Sequence, residues 1–186
     1  MGQLLQIDYF ISDFLKHLIP HNNLSVSFFS FFSLIGFAAF VWVVIGLLLI
    51  AFRAKEQHKF IFYYGMTLAV SYISFNIIKI IVRRPRPFIE DATNLKMMAI
   101  RLCPKDFSFP SGHATVAFAS ATVLAAFDKK RSWFYFLVAL VISYSRIFLE
   151  CHFFLDVLFG AFLGTAIAKL VLQINVKKWI HTKSRK

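Results

Sequence analysis

The chain has 186 residues, of which 59% are hydrophobic, 24 are phenylalanine and only 16% are charged. Soluble globular domains are rarely this apolar, so the composition argues against a water-soluble protein and for one that lives in lipid. The formal net charge of +12 reads first as loop charge that orients a membrane protein and attracts anionic lipid, with nucleic-acid binding the weaker reading.

In the first 20 residues Leu4, Ile7, Ile11, Phe14 and Leu18 recur at helical spacing, while Asp8, Ser12, Asp13 and Lys16 take other positions. The pattern predicts an amphipathic helix lying in the membrane interface. The competing reading, a sixth span, would place two Asp and one Lys in hydrocarbon, which is expensive. The N-terminus lacks a basic head and a small-residue cleavage site, so no secretory signal peptide is expected. Pro20 and the following His-Asn-Asn make the turn into the first span.

A spanning helix needs about 20 apolar residues. Four stretches meet or approach that length, at roughly 27–52, 59–82, 132–149 and 153–174, and a fifth, 111–128, is shorter and more polar at its start. The expected fold is all-α: a polytopic membrane helical bundle of about five transmembrane helices plus the interfacial helix, with six spans as the alternative. It forms a single domain over residues 1–186, without an internal repeat or low-complexity segment. Arg53, Lys55 and Lys59, then Lys129, Lys130 and Arg131, then the tail with Lys177, Lys178, Lys183, Arg185 and Lys186 alternate correctly for one cytoplasmic face. The loops at about 83–110 and 150–152 then lie outside, where Arg83, Arg84 and Arg86 break the charge rule unless they have a function.

Polar residues gather at three segment ends on that outer side. Lys79 closes an apolar run and, taken alone, fits a lysine snorkelling to the headgroups. Arg86 stands between Pro85 and Pro87, and its guanidinium fork suits phosphate oxygens. Pro110-Ser111-Gly112-His113 precedes a helical run, so Ser111 is a candidate N-cap at an end where free N–H groups meet anions; an ordinary capped helix with an interfacial His fits equally well. Gly112 would let a phosphate come close to the backbone, and His113 can exchange a proton near neutral pH. His152 and Asp156, four apart, share a helical face, so Asp156 can fix the imidazole tautomer and leave the other nitrogen as a nucleophile; a lone pair at this spacing is more often structural, but an Asp between Phe154-Leu155 and Val157-Leu158 requires a partner. Arg146 can neutralise charge that develops on phosphate.

The pattern Lys-x6-Arg-Pro (Lys79 to Pro87), Pro-Ser-Gly-His (Pro110 to His113) and Ser-Arg-x5-His-x3-Asp (Ser145 to Asp156) resembles the signature of the type 2 phosphatidic acid phosphatase superfamily. The resemblance covers a catalytic core of about residues 60–175 and departs from many relatives in having five spans where they have six. It implies a lipid phosphatase in which His152 forms a phosphohistidine, Asp156 orients it and His113 protonates the leaving oxygen. Lys79, Arg86, Ser111, Gly112 and Arg146 would bind the phosphate, with no cofactor and no divalent metal. The implied partners are a lipid phosphate or diphosphate and membrane lipids, with no nucleic acid, in a bacterial inner membrane with the site facing the periplasm or exterior.

The motifs do not name the lipid. Undecaprenyl diphosphate is the first reading, lipid A the second, and phosphatidylglycerophosphate or phosphatidate the third. A non-catalytic lipid-phosphate binding protein is the alternative of another class. The loop 88–109 is expected to select the headgroup, with Lys96, Arg101 and Lys105 available to a second phosphate. His58, Asn76, Glu150 and the pair Glu90-Asp91 have weaker claims, Asn76 as a hydrogen bonder in helix packing and Glu150 as a partner for a nearby arginine. A Cys103–Cys151 disulfide is chemically permitted outside the cell, and sequence alone does not decide it.

Overall fold

Helices in lipid turn apolar side chains outward and must satisfy polar ones within the bundle, and this chain follows that rule. The computed structural model describes residues 2–36, 40–52, 57–87, 103 and 105–174. Glu90, Asp91, Lys96, Arg101 and the basic residues of 53–55 and of the tail lie outside them. The described residues form α1 (Gly2–His17), α2 (Asn23–Gly36), α3 (Phe40–Phe52), α4 (Gln57–Val82), α5 (Gly112–Phe127), a 3-10 turn (Lys129–Arg131), α6 (Ser132–Phe148) and α7 (Phe154–Leu172), with no strand among them.

All five apolar segments are helical, as expected of a membrane bundle. Among the described residues α4 and α7 are each long and apolar enough to cross a membrane. The stretch expected as one span over 27–52 is two helices, α2 and α3, bent by 62°, the geometry of a broken span or of a re-entrant loop. The bend lets the two halves pack on different neighbours. Gly36 at the end of α2 sits against α6, where an added side chain would lie 2.7 Å from Ile142. On α3, Trp42 and Leu49 instead join Phe60 and Tyr64 of α4 in the main core.

α1 is amphipathic with its polar face turned into the protein. Leu4, Ile7, Phe10 and Phe14 are exposed, whereas Asp8 is buried. It lies against α6 and α7.

α5 is the hub, wrapped by α4, α6 and α7. Its Ala, Ser and Thr residues are small, and α7 offers Gly160 and Gly164 to them. A Cβ on Gly160 would lie 2.7 Å from the Ser111 carbonyl oxygen, and one on Gly164 would overlap the carbonyl oxygen of Thr115. Small residues four apart allow this approach of helix backbones in membranes. Gly164→Val is therefore expected to cost about 3 kcal/mol, the upper end of ordinary overpacking, read as earlier thermal unfolding of the detergent-solubilised protein. An unchanged transition would mean that α5 and α7 are free to separate.

Candidate active site

The C-terminal ends of α4 and α6 and the N-terminal ends of α5 and α7 meet at one end of the bundle. The basic turn Lys129–Arg131 lies at the opposite end of α5. α4 terminates at Arg83, whose φ of 51° is the left-handed helix stop usually given to Gly. The chain that leaves this turn carries Arg84 and Arg86. A second positive φ, 56° at Glu150, turns the chain between α6 and His152.

His152 is buried, with its backbone N–H donating to the Arg146 carbonyl (3.1 Å). Its Nε2 lies 3.1 Å from Arg86 Nη1, and its Nδ1 lies 3.6 Å from Asp156 Oδ2. A guanidinium can only donate, so Nε2 carries the lone pair and Nδ1 the proton that faces Asp156. That is the tautomer required of an Nε2 nucleophile. Burial, reinforced by the positive charges of Arg86, Arg146 and Lys79, holds His152 well below the usual imidazole range. The ring is thus neutral at neutral pH.

Asp156 is held on every side. It accepts from Ser108 Oγ, from Arg84 Nη1 (2.7 Å) and from the Phe153 N–H (2.9 Å), while its own carbonyl accepts from the Ser111 N–H (3.0 Å). The last bond ties α7 to the start of α5. There Ser111 is the N-cap, its hydroxyl accepting from the Ala114 N–H. Gly112 packs flat against Phe75, whose ring would lie 3.1 Å from an added Cβ. Its small size therefore serves the seating of α5 on α4 as well as the cavity it lines. His113 is hydrogen-bonded to the backbone of Ser33 in α2. The fully buried Arg146 donates from Nη1 to the Ser33 hydroxyl.

Lys79 and Arg86 converge on Asp106. Lys79 Nζ is 3.1 Å from one carboxylate oxygen, and Arg86 Nη2 pairs with the other. Burial opposes ionisation of Asp106, but the Arg86 hydrogen bond and the Lys79 charge prevail and hold its carboxyl below the ordinary value. Asp106 occupies the cationic pair that a phosphate would need, so an incoming phosphate must compete with it. Arg86 also donates to the Cys151 carbonyl (2.6 Å). Cys151 is disulfide-bonded to Cys103, which anchors the loop carrying Asp106 to the segment carrying His152.

Two cavities meet at His152 and Arg86. One, of about 660 Å³, runs between α3, α4 and α5 past Val43, Leu68, Tyr72, Phe75 and Val116 to Lys79, His113 and His152. The other, about 350 Å³, lies under α1 and is lined by Tyr9, Ser12, Asp13, Lys16 and Glu150. Among the described residues no group of three His, Cys, Asp or Glu side chains could hold a metal ion.

All of the motif residues thus fall at one place. The weaker candidates take different places. Asn76 donates to the Tyr72 carbonyl of its own helix (2.8 Å) rather than across helices. Glu150 forms an ion pair with Lys16 of α1 (3.5 Å), a partner not anticipated. His58 is exposed at the far end of α4 from Lys79. Lys105 lines a pocket beside Lys79 and Arg86. Ser33, Asp106 and Ser108 escaped the sequence reading, which took Asp8 only as part of a helix face and Arg84 only as a loop charge in need of a function, although polar side chains within apolar runs, such as Ser33, were a usable signal.

The family profile described as "PAP2 superfamily" matches residues 60–180. An undecaprenyl-diphosphatase of Sulfolobus acidocaldarius is 31% identical over 143 residues, 73% of this chain and 64% of that relative. The chain thus spans somewhat less than two thirds of that protein. Undecaprenyl-diphosphatase BcrC of Bacillus subtilis is 26% identical over 91% of this chain and 84% of its own. The crystal structure of Aquifex aeolicus LpxE superimposes with a TM-score of 0.65 at 29% identity, covering 91% of this chain and 94% of that one. The PAP2-type phosphatidylglycerolphosphate phosphatase of Bacillus subtilis, at 21% identity and a TM-score of 0.67 over 92% and 85% of the two chains, shares the fold.

Proposed function

This chain belongs to the PAP2 superfamily, and from that membership we propose that it is a lipid phosphatase that converts undecaprenyl diphosphate to the monophosphate through a phosphohistidine on His152. The observation that carries the chemistry is the His152 ring, with Nε2 3.1 Å from Arg86 Nη1 and Nδ1 3.6 Å from Asp156 Oδ2. The substrate rests on the two relatives named undecaprenyl-diphosphatase.

The isoprenoid chain enters through the apolar cavity and brings its terminal phosphate to Lys79, Arg86, Arg146 and the N-terminus of α5, displacing Asp106. Nε2 of His152 attacks the terminal phosphorus. As the P–O bond breaks, the bond pair goes to the lipid phosphate oxygen, which takes a proton from His113. Asp156 balances the positive charge on the phosphorylated imidazole. Water then attacks phosphorus and gives a proton to His113; the P–N pair returns to Nε2, and orthophosphate leaves. The cavity under α1, lined by Ser12, Asp13, Lys16 and Glu150, supplies the water and receives the orthophosphate. Every cation in this scheme is a side chain, so no resident metal is required.

Phosphate release by the purified chain, without added metal, from undecaprenyl diphosphate, lipid A, phosphatidylglycerophosphate and phosphatidate tests the assignment. Undecaprenyl diphosphate is expected to be turned over fastest; a clear preference for another lipid would reassign the substrate and keep the chemistry. Because the His152 proton affinity is depressed, protonation of this nucleophile is expected to cause no loss of kcat/KM as pH falls through about 6.5, the ordinary imidazole value. An acid limb centred at or above that value would contradict a neutral buried nucleophile.

The site faces the cell exterior of an inner membrane. The basic turn Lys129–Arg131 at the opposite end of α5 favours the cytoplasm, and the Cys103–Cys151 disulfide suits an oxidising compartment. In intact cells a membrane-impermeant maleimide should label Cys103 only after an impermeant reductant is added. Labelling that requires membrane permeabilisation would place the site inside.

A further inference from the structure

The polar face of α1 is built into the N-terminus of α7, the helix that carries Asp156. Its first two backbone N–H groups are satisfied in trans: Phe154 N donates to Ser12 Oγ and Leu155 N to Asp8 Oδ1, both at 2.8 Å. The other Asp8 oxygen pairs with Arg84 Nη2 at 2.5 Å, and Arg84 Nη1 pairs with Asp156 Oδ1 at 2.7 Å. The remaining Asp156 oxygen faces His152 Nδ1. Arg84 is further clamped over the Phe153 ring (4.1 Å), which Tyr9 of α1 meets edge-on. Asp8 is wholly buried, and its carboxylate has no place in either cavity lining.

We propose that Asp8 is a positioning residue for phosphoryl transfer, acting through Arg84 and Asp156 on His152; this rests on His152 being the nucleophile. The reason is charge division. When Nε2 bonds to phosphorus, the imidazole becomes cationic, and Asp156 must meet it with an undiminished negative charge. An Arg84 with no second partner would direct its whole charge at Asp156. Asp8 takes half of that guanidinium and so leaves more of the Asp156 charge to His152. The outer face of α1, with Leu4, Ile7, Phe10 and Phe14 bare, seats the same helix in lipid, so the seating of α1 and the readiness of the nucleophile are one arrangement.

The test compares Asp8→Asn, Asp8→Glu, Arg84→Gln, the Asp8→Asn/Arg84→Gln double variant and His152→Ala as full-length protein in lipid nanodiscs. Asp8→Asn is expected to lower kcat about 10-fold to 100-fold, the usual cost of losing an outer partner, with KM and inhibition by orthovanadate within about threefold of wild type. Asp8→Glu should recover part of the loss. The double variant should be no worse than Arg84→Gln alone, because both act through one chain of contacts. Wild-type kcat in Asp8→Asn, or additive losses in the double variant, would overturn the proposal. Parallel loss of kcat and orthovanadate inhibition would also overturn it, by showing a merely structural role. Activity retained in His152→Ala would instead sink the nucleophile assignment itself.

Discussion

His152→Ala is expected to lower phosphate release by about four orders of magnitude or more, the effect of deleting a covalent nucleophile. No neighbouring group can take its place. The only other imidazole at the site among the described residues, His113, is held against Ser33 of α2 and is needed for the leaving oxygen. The variant keeps Arg86 on Asp106 and on the Cys151 carbonyl, so the phosphate pocket should still bind orthovanadate. Rapid quenching of the wild type with radiolabelled diphosphate should trap an acid-labile, base-stable label on the protein, absent from His152→Ala. A variant that still turns over, or a wild type that never carries label, would leave direct attack by water as the mechanism.

The residues that touch phosphate were legible because the chemistry restricts residue type and spacing: a guanidinium between prolines at Arg86, a helix start at Ser111, and a His four residues from an Asp. The residues that hold those groups were not. Arg84 stands two positions from Arg86 and has the same composition signal, yet it points at Asp8 and Asp156 while Arg86 points at Asp106 and His152. Periodicity placed Asp8 on the polar face of an amphipathic helix. Whether that face meets water or protein depends on what α7 presents to it, and periodicity carries no information about α7. The bend between α2 and α3 was hidden for a related reason. Hydropathy is the same for a straight span and a broken one, so it carries no sign of the 62° bend. The Cys103–Cys151 bond likewise depends on a Cα separation of 5.4 Å that spacing in sequence does not reveal.

Arg86→Lys is expected to lower kcat/KM by about 100-fold to 1,000-fold, the range for losing one donor aimed at developing charge, although the positive charge is kept. The guanidinium does several things at once. Nε donates to the Asp106 carbonyl (2.8 Å), Nη2 pairs with the Asp106 carboxylate, and Nη1 holds both the Cys151 carbonyl and His152 Nε2. An ammonium is a point charge with no fixed fork, so it cannot hold the His152 segment and grip two phosphate oxygens together. Most of the loss should fall on kcat, because the ground-state attraction for phosphate survives in the substituted ammonium and in Lys79, whereas the in-line geometry at Nε2 does not. Arg86→Ala should then lose little more in kcat and considerably more in KM. If Arg86→Lys instead stays within about threefold of wild type, charge alone suffices at this position. The contact that defines the His152 tautomer in the resting site would then be incidental to catalysis.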